Sequence, residues 1–349
     1  MRARFQFTCA VIALAGAALA AQGQYAKVAE VPIGGGNGWD YAAVDSAGKR
    51  LYVSHATEVV VIDTATDRVL GKIPAGPGVH GIAVVPALNR AYITNGRGAN
   101  PDGSTGNVSV VDAKTLETLS KVPTGLGPDA ILYEPKNKEI YSLNHAGKSV
   151  TTFDAATGKV SATIPLAGVA EFGQADGDRV FVNIEDKDAI DVIDITKHEV
   201  VAHWPVAPAE SPTGMALDAA AHRLFVGGGK AVVMIDNKTG KVLASAPICD
   251  GTDATAYDPS SKLVFVSCTD GKVTIAHVDG PDKLTVVQTL ETAPRSRTMT
   301  IDPATHKIYL AAVALQPPDP NAPPPAAGQR GRGPTVVPDS FKVLVFAPK

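Results

Sequence analysis

Cysteine is scarce in this 349-residue chain: there are three, and no two form a Cys-x-x-Cys pair. That spacing is what lowers a thiol pKa at a helix start, so a redox-active dithiol is not expected. Aromatic residues make up 5% of the chain, with two tryptophans, Trp39 and Trp204. Basic residues are outnumbered, 32 Lys and Arg against 35 Asp and Glu, and gather locally only at Arg330 and Arg332. A protein that displaces counterions from phosphates needs the opposite balance, so nucleic acid is not an expected partner. The one apolar run, from about Val11 to Leu19, is too short to cross a bilayer, and no later run is long enough, so no membrane span is expected. An apolar period of 3.6 residues, which helical repeats need, is not found. Catalytic signatures are missing too: there is no nucleophile elbow, no phosphate-cradling glycine loop and no His-Glu-x-x-His. Gly227-Gly228-Gly229-Lys230 reads as a hairpin loop, because no helix follows it.

The first twenty residues read as a secretory leader rather than as part of the fold. Arg2 and Arg4 supply the positive start, the apolar run follows, and Ala18-Leu19-Ala20 is a small-x-small cleavage site. The competing reading is a retained N-terminal anchor. A lipoprotein is disfavoured because Cys9 precedes the apolar run. Cleavage leaves a chain of residues 21–349 with 30 basic and 35 acidic side chains, directed to the periplasm or beyond. A monomer is expected.

Gly (33) and Pro (26) are frequent, and they punctuate short β-branched runs. One such run returns seven times at spacings of 40 to 49 residues: Leu51-Tyr52-Val53, Ala91-Tyr92-Ile93, Ile140-Tyr141-Ser142, Val180-Phe181-Val182, Leu224-Phe225-Val226, Val264-Phe265-Val266 and Ile308-Tyr309-Leu310. A further strand follows each, ending in Asp63, Asp112, Asp154, Asp194, Asp236 and Asp279, with Val343-Leu344-Val345-Phe346 as a last copy that lacks the Asp. Turns such as Ala156-Thr157-Gly158-Lys159 come next; their polar side chains can bond the backbone two residues on, and Gly supplies positive φ. Four short strands per repeat of this length predict an all-β, seven-bladed β-propeller. The last repeat stops after three strands, and residues 26–33 look like a fourth. The N-terminal strand is therefore expected to complete the last blade and remove two exposed edges.

The Tyr-Val-x-x and Val-x-Val-Ile-Asp repeats resemble the YVTN repeat, and residues 21–349 are similar throughout to the YncE-like propeller family. Longer stretches carry the same resemblance: Gly78-Val79-His80-Gly81-Ile82-Ala83, Gly127-Pro128-Asp129-Ala130, Phe181-Val182-Asn183-Ile184-Glu185, Asp250-Gly251-Thr252-Asp253-Ala254 and Arg297-Thr298-Met299. The WD40 pattern of Gly-His and Trp-Asp does not occur. The resemblance implies a periplasmic propeller and little about chemistry, since most such relatives have none assigned. It also implies a cysteine pair one blade earlier, where this chain has Ala209 and Gly228.

Aligned blades give two rings of residues expected on one face, around the central channel. The ring leading into the first strand is Asp40, His80, Asp129, Phe172, Thr213, Asp253 and Arg297. The ring leaving the second strand is His55, Asn95, Asn144, Ile184, Gly228, Cys268 and Ala312. His145, Glu171 and Glu185 sit beside them. From these, Asp40, His55, His80, Asn95, Asp129, Asn144, His145, Glu171, Asp253 and Arg297 are the candidate ligand-binding residues, because loops on a rigid scaffold are where sites are built. No catalytic residue and no cofactor is assigned. Histidine and aspartate are suitable transition-metal ligands, yet the bland alternative, turn-bracing Asp and Asn with isolated His, stays open. His198, His222 and His306 fall in turns on the opposite face; His203 and His277 lie in strands.

Cys249 and Cys268, an even pair in an exported chain, are expected to form a disulfide. Segment 316–339, rich in Pro and Gly, predicts an extended or mobile loop over the channel face; it either covers a ligand, meets a partner, or is a tolerated insertion. Two functions remain in competition. One is a non-catalytic binding or scaffold protein holding a protein or small molecule at the channel face. The other is a metal-dependent lactonase- or lyase-like enzyme with its site at the channel mouth.

Overall fold

The computed structural model describes residues 24–35, 38–76, 78–96, 106–317 and 334–349. Seven four-stranded antiparallel sheets make up the molecule, so it is an all-β, seven-bladed propeller. In six blades the strand nearest the channel comes first in sequence and the outermost comes last; in the seventh the outermost strand comes from the N-terminal end of the described chain. Blade three is typical, with Pro128–Glu134 innermost, then Glu139–Asn144, Ser149–Asp154 and, outermost, Val160–Pro165. Among the described residues the only helical elements are two 3-10 turns, Pro86–Leu88 and Glu185–Lys187.

Each recurring aromatic of the second strand is the anchor of a blade-to-blade interface. Tyr52, Tyr92, Tyr141, Phe181, Phe225, Phe265 and Tyr309 are all fully buried. Each packs into the second strand of the following blade: Phe225 against Val264 and Val266, Phe265 against Ile308 and Leu310, Tyr309 against Leu51 and Val53. The core is thus seven apolar wedges between blades. Burial of each such ring contributes roughly 1.5–3 kcal/mol.

Polar side chains near the start of the second strand span the same interfaces at the opposite rim. Arg90 donates to the carbonyl of Ala155 (2.8 Å), Arg179 to Lys238 (3.0 Å) and Arg223 to Gly280 (3.2 Å). These carbonyls lie in or beside the turn leaving the third strand of the next blade. Asp63, Asp112, Asp154, Asp194 and Asp236 enter those turns as predicted, each accepting backbone N–H bonds from two or three residues ahead. Positive φ falls on Gly158 and Gly240 in two of these turns, and on Asp67, Leu116 and His198 in three others. His198, His222 and His306 pair with Glu139, Asp176 and Asp258 of the preceding blade (2.8, 3.2 and 2.8 Å).

Ring closure is as the sequence predicts. Tyr25–Pro32 pairs antiparallel with Lys342–Pro348, completing a sheet whose inner strands are Lys307–Ala312 and Met299–Asp302. Tyr25 is also clasped by Gln288 of blade six, which accepts its N–H at 2.7 Å and donates to its carbonyl at 2.9 Å. The proposed leader lies outside the described residues, as does most of segment 316–339. The ends of that segment are more ordered than its composition predicts: Leu315–Gln316 pairs with Thr335–Val336 as a two-stranded ribbon.

Candidate functional site

The innermost strands do not run straight into the channel mouth. In five blades their register against the second strand jumps at the mouth, between Val79 and Ile82, Pro128 and Ile131, Ala170 and Gly173, Pro212 and Gly214, and Thr252 and Thr255. A bulge inserts an unpaired residue and re-aims its side chain. The residues inside these jumps include His80, Asp129, Glu171, Phe172, Thr213 and Asp253. Blades one and seven reach the same end differently: their inner strands begin late, at Ala42 and Met299, leaving Asp40, Tyr41, Arg297 and Thr298 in extended chain ahead of them.

Buried side-chain donors and acceptors fix the backbone at these points. Ser54 Oγ accepts the N–H groups of Asp40 and Tyr41 (2.9 Å each). Thr94 Oγ1 accepts the N–H of Gly81 (2.7 Å) and donates to the carbonyl of Asp129 in the next blade (2.6 Å). Asn183 donates to Gly214, Ser267 to Arg297 and Thr298 to Asp40, each across one interface. None of these has a role assigned from sequence, although Asn183 and Thr298 lie in stretches that carry the family resemblance. The legible signal was a small polar residue two positions after the aromatic in Ser54, Thr94, Asn183 and Ser267, on the face turned to the next blade.

The result is a cavity of about 770 Å³ in the channel, lined at its mouth by Asp40, Tyr41, His80, Asp129, His145, Glu171, Phe172, Thr213, Asp253 and Arg297. All seven residues of the first predicted ring line it. The second ring does not. His55 is 2% exposed and stacks on Phe341, with ring centroids 4.0 Å apart. Asn95 is buried and donates to Asn107 (2.9 Å) and Ser109 (3.0 Å); Asn144 is buried against Ser149 (3.1 Å) and Thr151 (3.0 Å). His55, Asn95 and Asn144 are therefore corrected from channel residues to interior ones. Side chains of the second strand point out of the two faces of the blade, where neighbouring blades pack, so its last side chain enters the packed interior instead of the channel: His55 meets Phe341 of blade seven, and Asn95 and Asn144 bond third-strand side chains.

The polar groups of the mouth fall into linked pairs. His80 Nδ1 lies between the carboxylates of Asp40 and Asp129, 3.1 Å from Asp129 Oδ1. The second Asp129 oxygen is 3.2 Å from the Tyr41 hydroxyl, which also lies 3.1 Å from the Glu171 carbonyl. His145 Nδ1 is 3.0 Å from Glu171 Oε1 and 3.2 Å from the Ala170 carbonyl. Arg297 faces Asp253 at 3.4 Å. Tyr41 and Phe172 stack beside them, 6.1 Å between centroids.

Burial and charge act against each other here. Burial opposes the charged form of His80, but the Asp129 and Asp40 carboxylates outweigh it and push its pKa up to about 10. The Glu171 carboxylate raises His145 to about 9 against a smaller burial effect. Burial pushes Glu171 up to about 7 and Asp253 to about 6, and it raises Asp40 as well. The Tyr41 hydroxyl is driven far above its ordinary range by burial among the same carboxylates, so it acts only as a neutral donor.

Two donor sets in the mouth are close enough to hold a cation, Asp40 with His80 and Asp129, and Asp129 with His145 and Glu171; in each, one ligand atom per residue lies within 4.8 Å of the others. A third set, Cys249, Cys268 and Asp270, is ruled out because its sulfurs are bonded to each other: Cys249 and Cys268 form a disulfide, Cα atoms 5.8 Å apart, pinning the approach to blade six onto its second strand.

The family described as outer membrane protein assembly factor BamB matches residues 104–311, more than half of the sequence. The chain belongs to this PQQ_2 family of propellers. The matched BamB-type region runs from the third strand of blade two to the second strand of blade seven. It contains Asp129, His145, Glu171, Asp253 and Arg297 but not Asp40 or His80. No curated protein matches the sequence. Among solved structures, Kuenenia stuttgartiensis hydrazine synthase is similar, with a TM-score of 0.68 and 18% identity over 83% of this chain and 95% of that one. At that identity the likeness speaks to fold alone. No helix of the described residues is long and apolar enough to cross a membrane.

Proposed function

We propose that this chain is an exported, monomeric propeller of the YncE-like kind, residues 21–349 after removal of a leader, that binds a protein segment or small molecule at its channel mouth. One observation carries the reading. Seven blades place their leading residues on a single cavity, and bulges turn charged side chains into it that turn-bracing would not require. The family's printed description as an assembly factor favours a held partner over a turned-over substrate. The disulfide fits an oxidising compartment, and the YVTN-like repeats support the narrower kinship. The metal-dependent lactonase- or lyase-like alternative is favoured by the two donor sets that share Asp129.

Site-specific photo-crosslinking tests the binding reading. A crosslinker in place of Thr213, at the mouth, is expected to give a discrete adduct in intact cells. One in place of Thr196, in a turn on the opposite face, is expected to give none. Adducts from position 196 alone, or from neither, would remove the channel mouth as the site.

A further inference from the structure

We propose that the channel mouth binds a pair of first-row divalent cations, held by two donor sets that share the Asp129 carboxylate. Asp40 and His80 complete one set, His145 and Glu171 the other. This deepens the binding reading and rests on it for the location of the ligand.

The spacing of the donors is the first argument. Nitrogen and oxygen ligands bind zinc at about 2.0–2.2 Å, so neighbouring ligands around one ion stand about 2.8–3.6 Å apart, from right-angled to tetrahedral arrangements. His80 Nδ1 and Asp129 Oδ1 are 3.1 Å apart, and His145 Nδ1 and Glu171 Oε1 are 3.0 Å apart. The second argument is proton supply. One imidazole N–H makes one good hydrogen bond, yet His80 Nδ1 faces two carboxylates, and His145 Nδ1 faces a carboxylate and a backbone carbonyl. A cation in place of that proton serves both partners at once.

The third argument is preorganisation. Thr298 and Thr94 hold the backbone carbonyls of Asp40 and Asp129 at 2.6 Å, and the Tyr41 hydroxyl lies against both the shared carboxylate (3.2 Å) and the Glu171 carbonyl (3.1 Å). Arg297, the cation that could otherwise fill the site, is occupied by Asp253. Imidazole nitrogen mixed with carboxylate oxygen and no thiolate suits zinc, iron(II) or manganese(II), and suits neither copper(I) nor the all-oxygen shells of calcium and magnesium. Three protein donors per ion leave a coordination position toward the cavity, where a ligand oxygen binds.

The test is calorimetric titration of zinc chloride into EDTA-stripped, full-length protein, with thermal melts of every variant confirming that it is folded. Wild type is expected to bind two equivalents. H80A and H145A are each expected to keep one, and the H306A control to keep both. D129N, close to isosteric, is expected to weaken both sites at least tenfold. Fewer than two equivalents in wild type, or two that survive D129N undiminished, overturns the proposal. Crosslinking at position 213 does not depend on metal. An adduct there without zinc binding leaves the binding reading standing and removes only the cations.

Discussion

His80, held between two carboxylates, sets the pH behaviour of the channel. Its pKa of about 10 and that of His145, about 9, stand above the ordinary 6.5; Glu171 at about 7 and Asp253 at about 6 stand above the ordinary 4.5 and 3.8. A raised pKa means that the folded state binds protons more tightly than the unfolded chain. The stability it contributes is whole below the ordinary value and lost as pH climbs through the folded one. The carboxylates therefore release theirs from about pH 4 to 7 and the histidines from about pH 6.5 to 10. Asp63, Asp112, Asp154, Asp194 and Asp236, lowered by hydrogen bonds from their turns against opposing burial, act in reverse and weaken the fold as pH falls. Thermal melts of metal-free protein should show a melting temperature that falls between pH 8 and 10, and H80Q should flatten that limb. A wild-type melting temperature constant from pH 7 to 10 would contradict the assignment. T94V leaves the Gly81 N–H and the Asp129 carbonyl without their hydroxyl and should cost about 1–3 kcal/mol in denaturant unfolding; a cost below about 0.5 kcal/mol would mean that the hydroxyl does not fix the mouth.

Strands differ in how legible they were. The second and third strands show in the sequence because both of their faces are buried between neighbouring blades, so they read as short, largely apolar runs bounded by turn residues. Phe225 is typical: fully buried, two blades meeting at its ring. F225A should lose about 3–5 kcal/mol, read from the urea midpoint, and a loss under about 1 kcal/mol would deny the wedge its role. The bulges of the innermost strands were not legible, since one extra residue breaks the alternation that marks a strand. For the same reason the two rings looked equivalent in sequence, and His55, Asn95 and Asn144 were placed at the mouth although their strand is covered on both faces. The disulfide was legible from the cysteine count and compartment. Replacing Cys249 and Cys268 by Ser reopens a loop of separation 19 and should cost about 3 kcal/mol; reduction with no change in stability would contradict it.

At the scale of the molecule, seven blades stand as one because the chain's two ends share a sheet. Deleting residues 25–32 exposes the edge of Lys342–Pro348 and removes the burial of Tyr25 and Val31. A loss of at least about 3 kcal/mol is expected, with aggregation through the open edge; a deletion variant as stable and monodisperse as wild type would refute closure. Closure also brings Thr298 of blade seven onto the Asp40 carbonyl of blade one (2.6 Å), and the packing of blades one to four gathers Asp40, His80, Asp129, His145 and Glu171, residues spread over more than a hundred positions of sequence. Whether these side chains from four blades act as one site is tested most directly by anomalous diffraction at the zinc edge, on crystals of the full chain soaked in zinc. Two peaks flanking Asp129 inside the channel are predicted, one against His80 and one against His145. Peaks confined to surface histidines such as His203 and His222, with none beside Asp129, would contradict it.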